Sequence, residues 1–112
     1  MTVRAYKDTI TANASGRTYL VEALNANDAN LEPIQIVLSG SFNSATCTLH
    51  VSAGATSPLV YSAADGGAFT AAGAHIAQLV PGSSFKFTTT SSGSPQASIT
   101  VQVRGQIKLL AA

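Results

Sequence analysis

The chain has 112 residues and a mass of 11.4 kDa, enough for one hydrophobic core and too little for two. Charged residues make up 10% of it, against about 25% in an ordinary globular domain, and 13 Ser with 12 Thr supply the polar surface instead. A net charge of +1 argues against nucleic acid and against an anionic membrane as partners, because both are held through clustered cations.

Residues 1–8 carry Arg4, Tyr6 and Lys7 without strong alternation, and read either as an N-terminal arm that anchors the protein or as an ordinary terminal strand. No apolar run follows Arg4, Lys7 and Asp8, so no secretion signal is expected. A short strand at 9–12 leads into turn chemistry at 13–16. Residues 18–24 are apolar on both parities, as a strand buried on both faces would be. Beyond an Asn-rich turn at 25–30, Ile34, Ile36 and Leu38 alternate with Gln35, Val37 and Ser39. After a turn at 40–44, Cys47, Leu49 and Val51 alternate with Thr46, Thr48, His50 and Ser52. Both segments are half-buried antiparallel strands by their period of two.

Turn chemistry returns at 53–57 and 65–67, with a short candidate strand at 58–62 between them. The Ala-rich stretch 63–77 is interrupted by Gly66, Gly67 and Gly73, so no helix is expected there. Residues 75–80 are again apolar on both parities, and a turn at 81–83 precedes Phe85 and Phe87 alternating with Ser84, Lys86 and Thr88. The polar run 88–94 reads as a hairpin tip, followed by turn residues up to Pro95. In 97–109, Ala97, Ile99, Val101, Val103, Ile107 and Leu109 share one parity, with Gly105 the gap. Unbroken, that segment would span about 40 Å, twice a typical strand. Either Gly105 marks a bulge or bend, or the far end reaches beyond its own core. The expected fold is all-β: a single antiparallel β-sandwich of about eight strands over residues 1–112, jelly-roll or Ig-like in layout.

Residues that carry chemistry are few. Cys47 stands alone, which excludes an internal disulfide and a Cys-based zinc site and suits a reducing compartment. It shares the apolar parity of its strand while His50 takes the other, so the two cannot form a thiolate–imidazole couple within that strand. His50 and His75 lack metal-ligand spacing, and surface or interface histidines are the simpler reading. Asp65-Gly66-Gly67 lacks the alternating oxygen ligands of a calcium loop and reads as a tight turn. Asn25, Asn27, Asp28 and Asn30 are dense enough to serve a cation, but Asx side chains also cap turns. Tyr6, Tyr19, Tyr61 and four Phe could stack on sugar rings, yet with no Trp and 6% aromatic residues, core packing accounts for them. No catalytic residue, cofactor or metal is expected, and a small hydrolase is the least supported class. A mean hydropathy of +0.25 with few charges to hold copies apart predicts self-association.

Residues 39–52, Ser39-Gly40-Ser41-Phe42-Asn43-Ser44-Ala45-Thr46-Cys47-Thr48-Leu49-His50-Val51-Ser52, resemble a strand-loop-strand pattern of small all-β virion accessory proteins of tailed bacteriophages. Asp65-Gly66-Gly67-Ala68-Phe69 is similar to their glycine turn followed by an aromatic. Leu79-Val80-Pro81-Gly82-Ser83-Ser84-Phe85 is similar to an aliphatic-Pro-Gly link into a strand, and 97–103 to a closing strand. The resemblance covers about the C-terminal two thirds of the chain and departs from those domains in having no Trp.

The resemblance implies a capsid decoration, or cement, protein: non-enzymatic, on the capsid exterior of a virion assembled in the host cytoplasm, homo-oligomeric, and partnered with the major capsid protein. A trimer is the expected form. Its contact would come from the overlong last strand, with Ile107, Leu109 and Leu110 burying against a neighbour beside Arg104 and Lys108, while Arg4, Tyr6 and Lys7 at the other terminus would anchor the protein to the capsid. The competing reading is that these residues complete their own core. A tail-fibre or spike module that recognises host glycan is the alternative function.

Overall fold

A computed structural model of the chain describes residues 3–11, 14–22, 31–53, 62–90 and 97–111. Among the described residues nine strands run in order: β1 (Arg4–Thr11), β2 (Ala14–Val21), β3 (Glu32–Ser41), β4 (Thr46–Ser52), β5 (Ser62–Phe69), β6 (Gly73–Leu79), β7 (Ser84–Thr90), β8 (Ser98–Gly105) and β9 (Ile107–Ala111). They form two antiparallel sheets, β1-β8-β3-β6 and β5-β4-β7-β2-β9. β1 pairs with β8, β2 with β7, β3 with β6 and β4 with β5. This nested pairing, each pair closing inside the one before, is the jelly-roll arrangement, so of the two expected layouts it is the jelly roll that the chain adopts. β9 is an addition that extends the second sheet beyond β2.

The alternation seen in the sequence is what makes two sheets into one sandwich. Along β3, Ile34, Ile36 and Leu38 are buried and Gln35, Val37 and Ser39 exposed; along β8, Ile99, Val101 and Val103 are buried. Tyr19, Val21, Cys47, Leu49, Phe85 and Phe87 meet them from the second sheet. Each such side chain contributes about 1.5–3 kcal/mol relative to exposure. Tyr6, Tyr19, Phe85 and Phe87 form a chain of ring contacts, with successive centroids 5.5, 5.2 and 6.1 Å apart. Those separations are in the favourable range for offset and edge contacts.

Several expectations are corrected. The segment 97–109 is two strands rather than one: Gly105 pairs with Arg4 in the first sheet, and Ile107 pairs with Val21 in the second. The chain crosses between sheets over Gln106, whose carbonyl accepts a hydrogen bond from the Glu22 N–H at 2.8 Å. Glycine is needed at the bend, since a Cβ on Gly105 would lie 2.8 Å from Ile34 Cδ1 and 3.2 Å from the Pro33 carbonyl oxygen. The far end therefore folds back on its own core. Residues 4–8 are not a free arm: Arg4–Thr11 pairs with β8 in continuous register, from Arg4 opposite Gly105 to Thr11 opposite Ser98, and takes in residues 9–11 of the short strand expected at 9–12.

Of the turn expected at 13–16, residues 14–16 begin β2, with a register irregularity between Ser15 and Thr18 against β7, and residue 13 lies outside the described residues. The turn expected at 65–67 lies inside β5, where the register against β4 shifts between Thr48 and His50. Residues 75–80, expected to be buried on both faces, belong chiefly to the edge strand β6, exposed from Gly73 to Ile76. The first three residues of the hairpin tip expected at 88–94 belong to β7; the rest of it, the 91–95 turn, the 25–30 turn and cation candidate, and most of the 53–57 turn and the 58–62 strand lie outside the described residues. Between β3 and β4, Asn43 and Ser44 both have positive φ, 48° and 69°, and the Ala45 N–H donates to the Phe42 carbonyl at 2.8 Å. This is a tight turn of the primed kind, used here to carry the chain from one sheet to the other.

Candidate interaction surfaces

The eight residues singled out from the sequence fall into three places. Arg4, Tyr6, Ile107 and Leu109 come together at the seam where β1, an edge of the first sheet, meets β9, an edge of the second. Arg4 Nη1 donates to the Ile107 carbonyl at 3.0 Å and ion-pairs with the Glu22 carboxylate, and the Tyr6 hydroxyl accepts from the Leu109 N–H at 3.2 Å. These contacts tie the two sheets together. Ile107 is 0% exposed and packs in the core, so it offers no surface to another molecule; that correction follows from the sheet switch at Gly105. Leu109 is 36% exposed and Leu110 partly buried.

Lys7 and Arg104 are exposed on the outer face of the first sheet, and Lys108 is exposed on the outer face of the second, opposite Leu20. The register arranges the first of these faces in rows. Thr9 lies beside Thr100 and Ser39, Lys7 beside Gln102, Val37 and Ala74, and Ala5 beside Arg104, Gln35 and Ile76. Thr9 and Thr100 share a hydrogen bond of 3.2 Å between their hydroxyls, and Ser15 and Thr88 share another of the same length on the opposite face. Among the outward positions of β1, β8, β3 and β6, Lys7 and Arg104 are cationic and no position is acidic. The face is broad, mainly neutral, and weakly positive.

Two large apolar residues are exposed on the same face. Ile76 is 65% exposed and Val37 42%, and together with Gln35, Ala74 and His75 they line a shallow depression across β3 and β6. Sequence reasoning missed this patch, because a strand apolar on both parities reads as doubly buried and nothing local marks it as an edge. His75 stacks on Phe69, with ring centroids 4.4 Å apart, where β6 lies near β5.

Cys47 is buried, and that burial raises its thiol pKa against the opposing influence of the Thr89 hydroxyl across the strand pair. Tyr19 is pushed up to about 12, first by burial and then by the Asp8 carboxylate. His50 lies opposite Lys86 on the outer face of β4 and β7, while Cys47 faces the core. Among the described residues, no three His, Cys, Asp or Glu side chains converge to hold a metal ion. Every aromatic ring among those residues is in the core or packed against it. Compared with protein-family models, with curated proteins and with solved structures, the chain matches none.

Proposed function

We propose that this protein is a non-enzymatic structural component of a virus particle, a decoration protein on the exterior of a tailed-phage capsid that bridges coat subunits. The outer face of the first sheet is the observation that carries the reading. It presents rows of Thr, Ser and Gln with two cations and no anion, interspersed with Ala5, Val37, Ala74 and Ile76. A surface of this kind suits close, repeated contact rather than capture of a small ligand, and repetition around a shell makes individually modest contacts collectively strong. Jelly-roll domains recur among virus coat and lectin proteins, which favours the reading by analogy of fold alone. The glycan-binding alternative has less support, since a sugar platform needs exposed rings and the described rings are engaged in packing.

The test is co-sedimentation of the purified chain with purified capsids of its phage, alongside the thermal midpoint of the shells with and without it. Binding with a raised shell midpoint is expected, and the double variant Lys7→Glu with Arg104→Glu should weaken binding by about tenfold, which corresponds to about 1.4 kcal/mol. A chain that stays in the supernatant and leaves shell melting unchanged overturns the reading.

A further inference from the structure

We propose that β6 is the surface through which two copies of this chain pair, edge to edge about a twofold axis, joining their first sheets into one eight-stranded sheet. This inference stands apart from the capsid reading, because it concerns the free chain in solution.

A strand at a sheet edge leaves a row of backbone N–H and C=O groups without sheet partners, and proteins blunt such edges with charge, Pro, bulges, short length or a covering segment. Three of the four edges here carry such protection. β1 holds Arg4, Lys7 and Asp8 and is tied to β9 through Arg4 and Tyr6. β9 is five residues long, carries Lys108, and has a register shift against β2. β5 is irregular in its register against β4. Among the described residues β6 has none of these devices: its seven residues include no charge and no Pro, and it pairs with β3 without a register shift. Its outward Ile76 is the most exposed of the large apolar side chains among the described residues, and Val37 lies on the adjoining strand.

The strand is self-complementary. Ile76 is the central residue of Gly73–Leu79. An antiparallel twofold through it sets Gly73 opposite Leu79, Ala74 opposite Gln78, His75 opposite Ala77 and Ile76 opposite itself, using the whole strand in both copies. Small residues thus face large ones, and the two exposed Ile76 side chains cover each other. Charge does not oppose the pairing. Arg104 lies two strands inward along the Ile76 row, so the two copies of Arg104 would be five strand spacings apart, about 24 Å, well beyond a Debye length of about 8 Å. A strongly charged partner would find no counter-charge on β6. A second copy satisfies the backbone groups and the apolar patch together, and the pairing closes at two because each chain has one such edge.

The experiment is light scattering of the full chain over a range of concentrations, with amide hydrogen exchange read along β6. The wild type is expected at twice the 11.4 kDa chain mass, with its β6 amides losing protection on dilution. Ile76→Lys places two cations face to face at the axis and should halve the mass, leaving the thermal midpoint of the fold in place because the side chain is exposed. A wild type that is monomeric at every concentration overturns the proposal, as does one with three times the chain mass. A dimer that persists in Ile76→Lys with β6 protection unchanged overturns it too. Should Ile76→Lys not fold, the concentration dependence of wild-type β6 exchange decides by itself: protection independent of dilution refutes the pairing.

Discussion

Tyr6 and Leu109 stand 103 positions apart, and the hydrogen bond from the Leu109 N–H to the Tyr6 hydroxyl joins the edge of one sheet to the edge of the other. With the Arg4 guanidinium on the Ile107 carbonyl and the Glu22 carboxylate, it holds β9 in place beside β1. Tyr6→Phe keeps the ring against Tyr19 and removes only the acceptor, so it should cost about 0.5–1.5 kcal/mol, the net worth of one hydrogen bond. Urea unfolding of the two proteins measures this. Hydrogen exchange should quicken at Leu109 more than in β8, since β8 keeps both its neighbouring strands.

Ile107 and Leu109 share a parity but not a fate, and two alanine substitutions separate them. Ile107→Ala opens a cavity in a fully buried site and should cost about 2–4 kcal/mol, a large part of the roughly 5–15 kcal/mol that stabilises a typical domain. Leu109→Ala, at a site 36% exposed, should cost about 1 kcal/mol or less. Denaturant midpoints at fixed slope give both values. Equal costs would mean that Ile107 is not the core residue the sheet switch makes it.

Gly40 has φ of +99° where β3 runs beside β8, and a Cβ there would collide with the Ser98 carbonyl oxygen. Gly40→Ala combines an unfavourable backbone conformation with an overlap against main chain, which cannot swing aside as a side chain can. The expected loss is about 2–4 kcal/mol, seen as a lowered thermal midpoint.

The sequence carries much of this fold in its period of two. Ile34 to Leu38, Cys47 to Val51 and Phe85 to Phe87 could be assigned to strands, with their inward faces, because alternation is a local property. The break at Gly105 was legible only as one of two options. Ile107 keeps the inward parity of Val103 while changing sheets, so alternation alone cannot tell a strand that turns from one that continues. Arg4 and Tyr6 read as interface residues, and the contacts they make within the chain, to Glu22, Ile107 and Leu109, could not be read locally because those partners belong to distant strands. The exposed edge at β6 was hidden for the same reason. Whether His75 to Leu79 is central or peripheral depends on strand order, and strand order is fixed by long-range pairing rather than by any residue within the segment.

Tyr19 supplies a pH dependence of known sign. It is 1% exposed, and its hydroxyl has no hydrogen-bond partner among the described residues. Burial, reinforced by Asp8, lifts its pKa to about 12 from 10.0. An acid that holds its proton more tightly when folded contributes its full share of stability below its unfolded pKa. That share is lost as pH rises from about 10 to about 12, because the unfolded chain gains the free energy of ionisation while the folded chain does not. The slope approaches about 1.4 kcal/mol per pH unit in that window. Tyr19→Phe removes the titration and an unpartnered buried hydroxyl together. At pH 7 the variant should be as stable as the wild type or more stable by about 1 kcal/mol, and its alkaline decline should be shallower. Chemical unfolding at pH 7, 10 and 11.5 tests both parts, and a variant that loses more than about 1 kcal/mol at pH 7 would show that the hydroxyl has a partner after all.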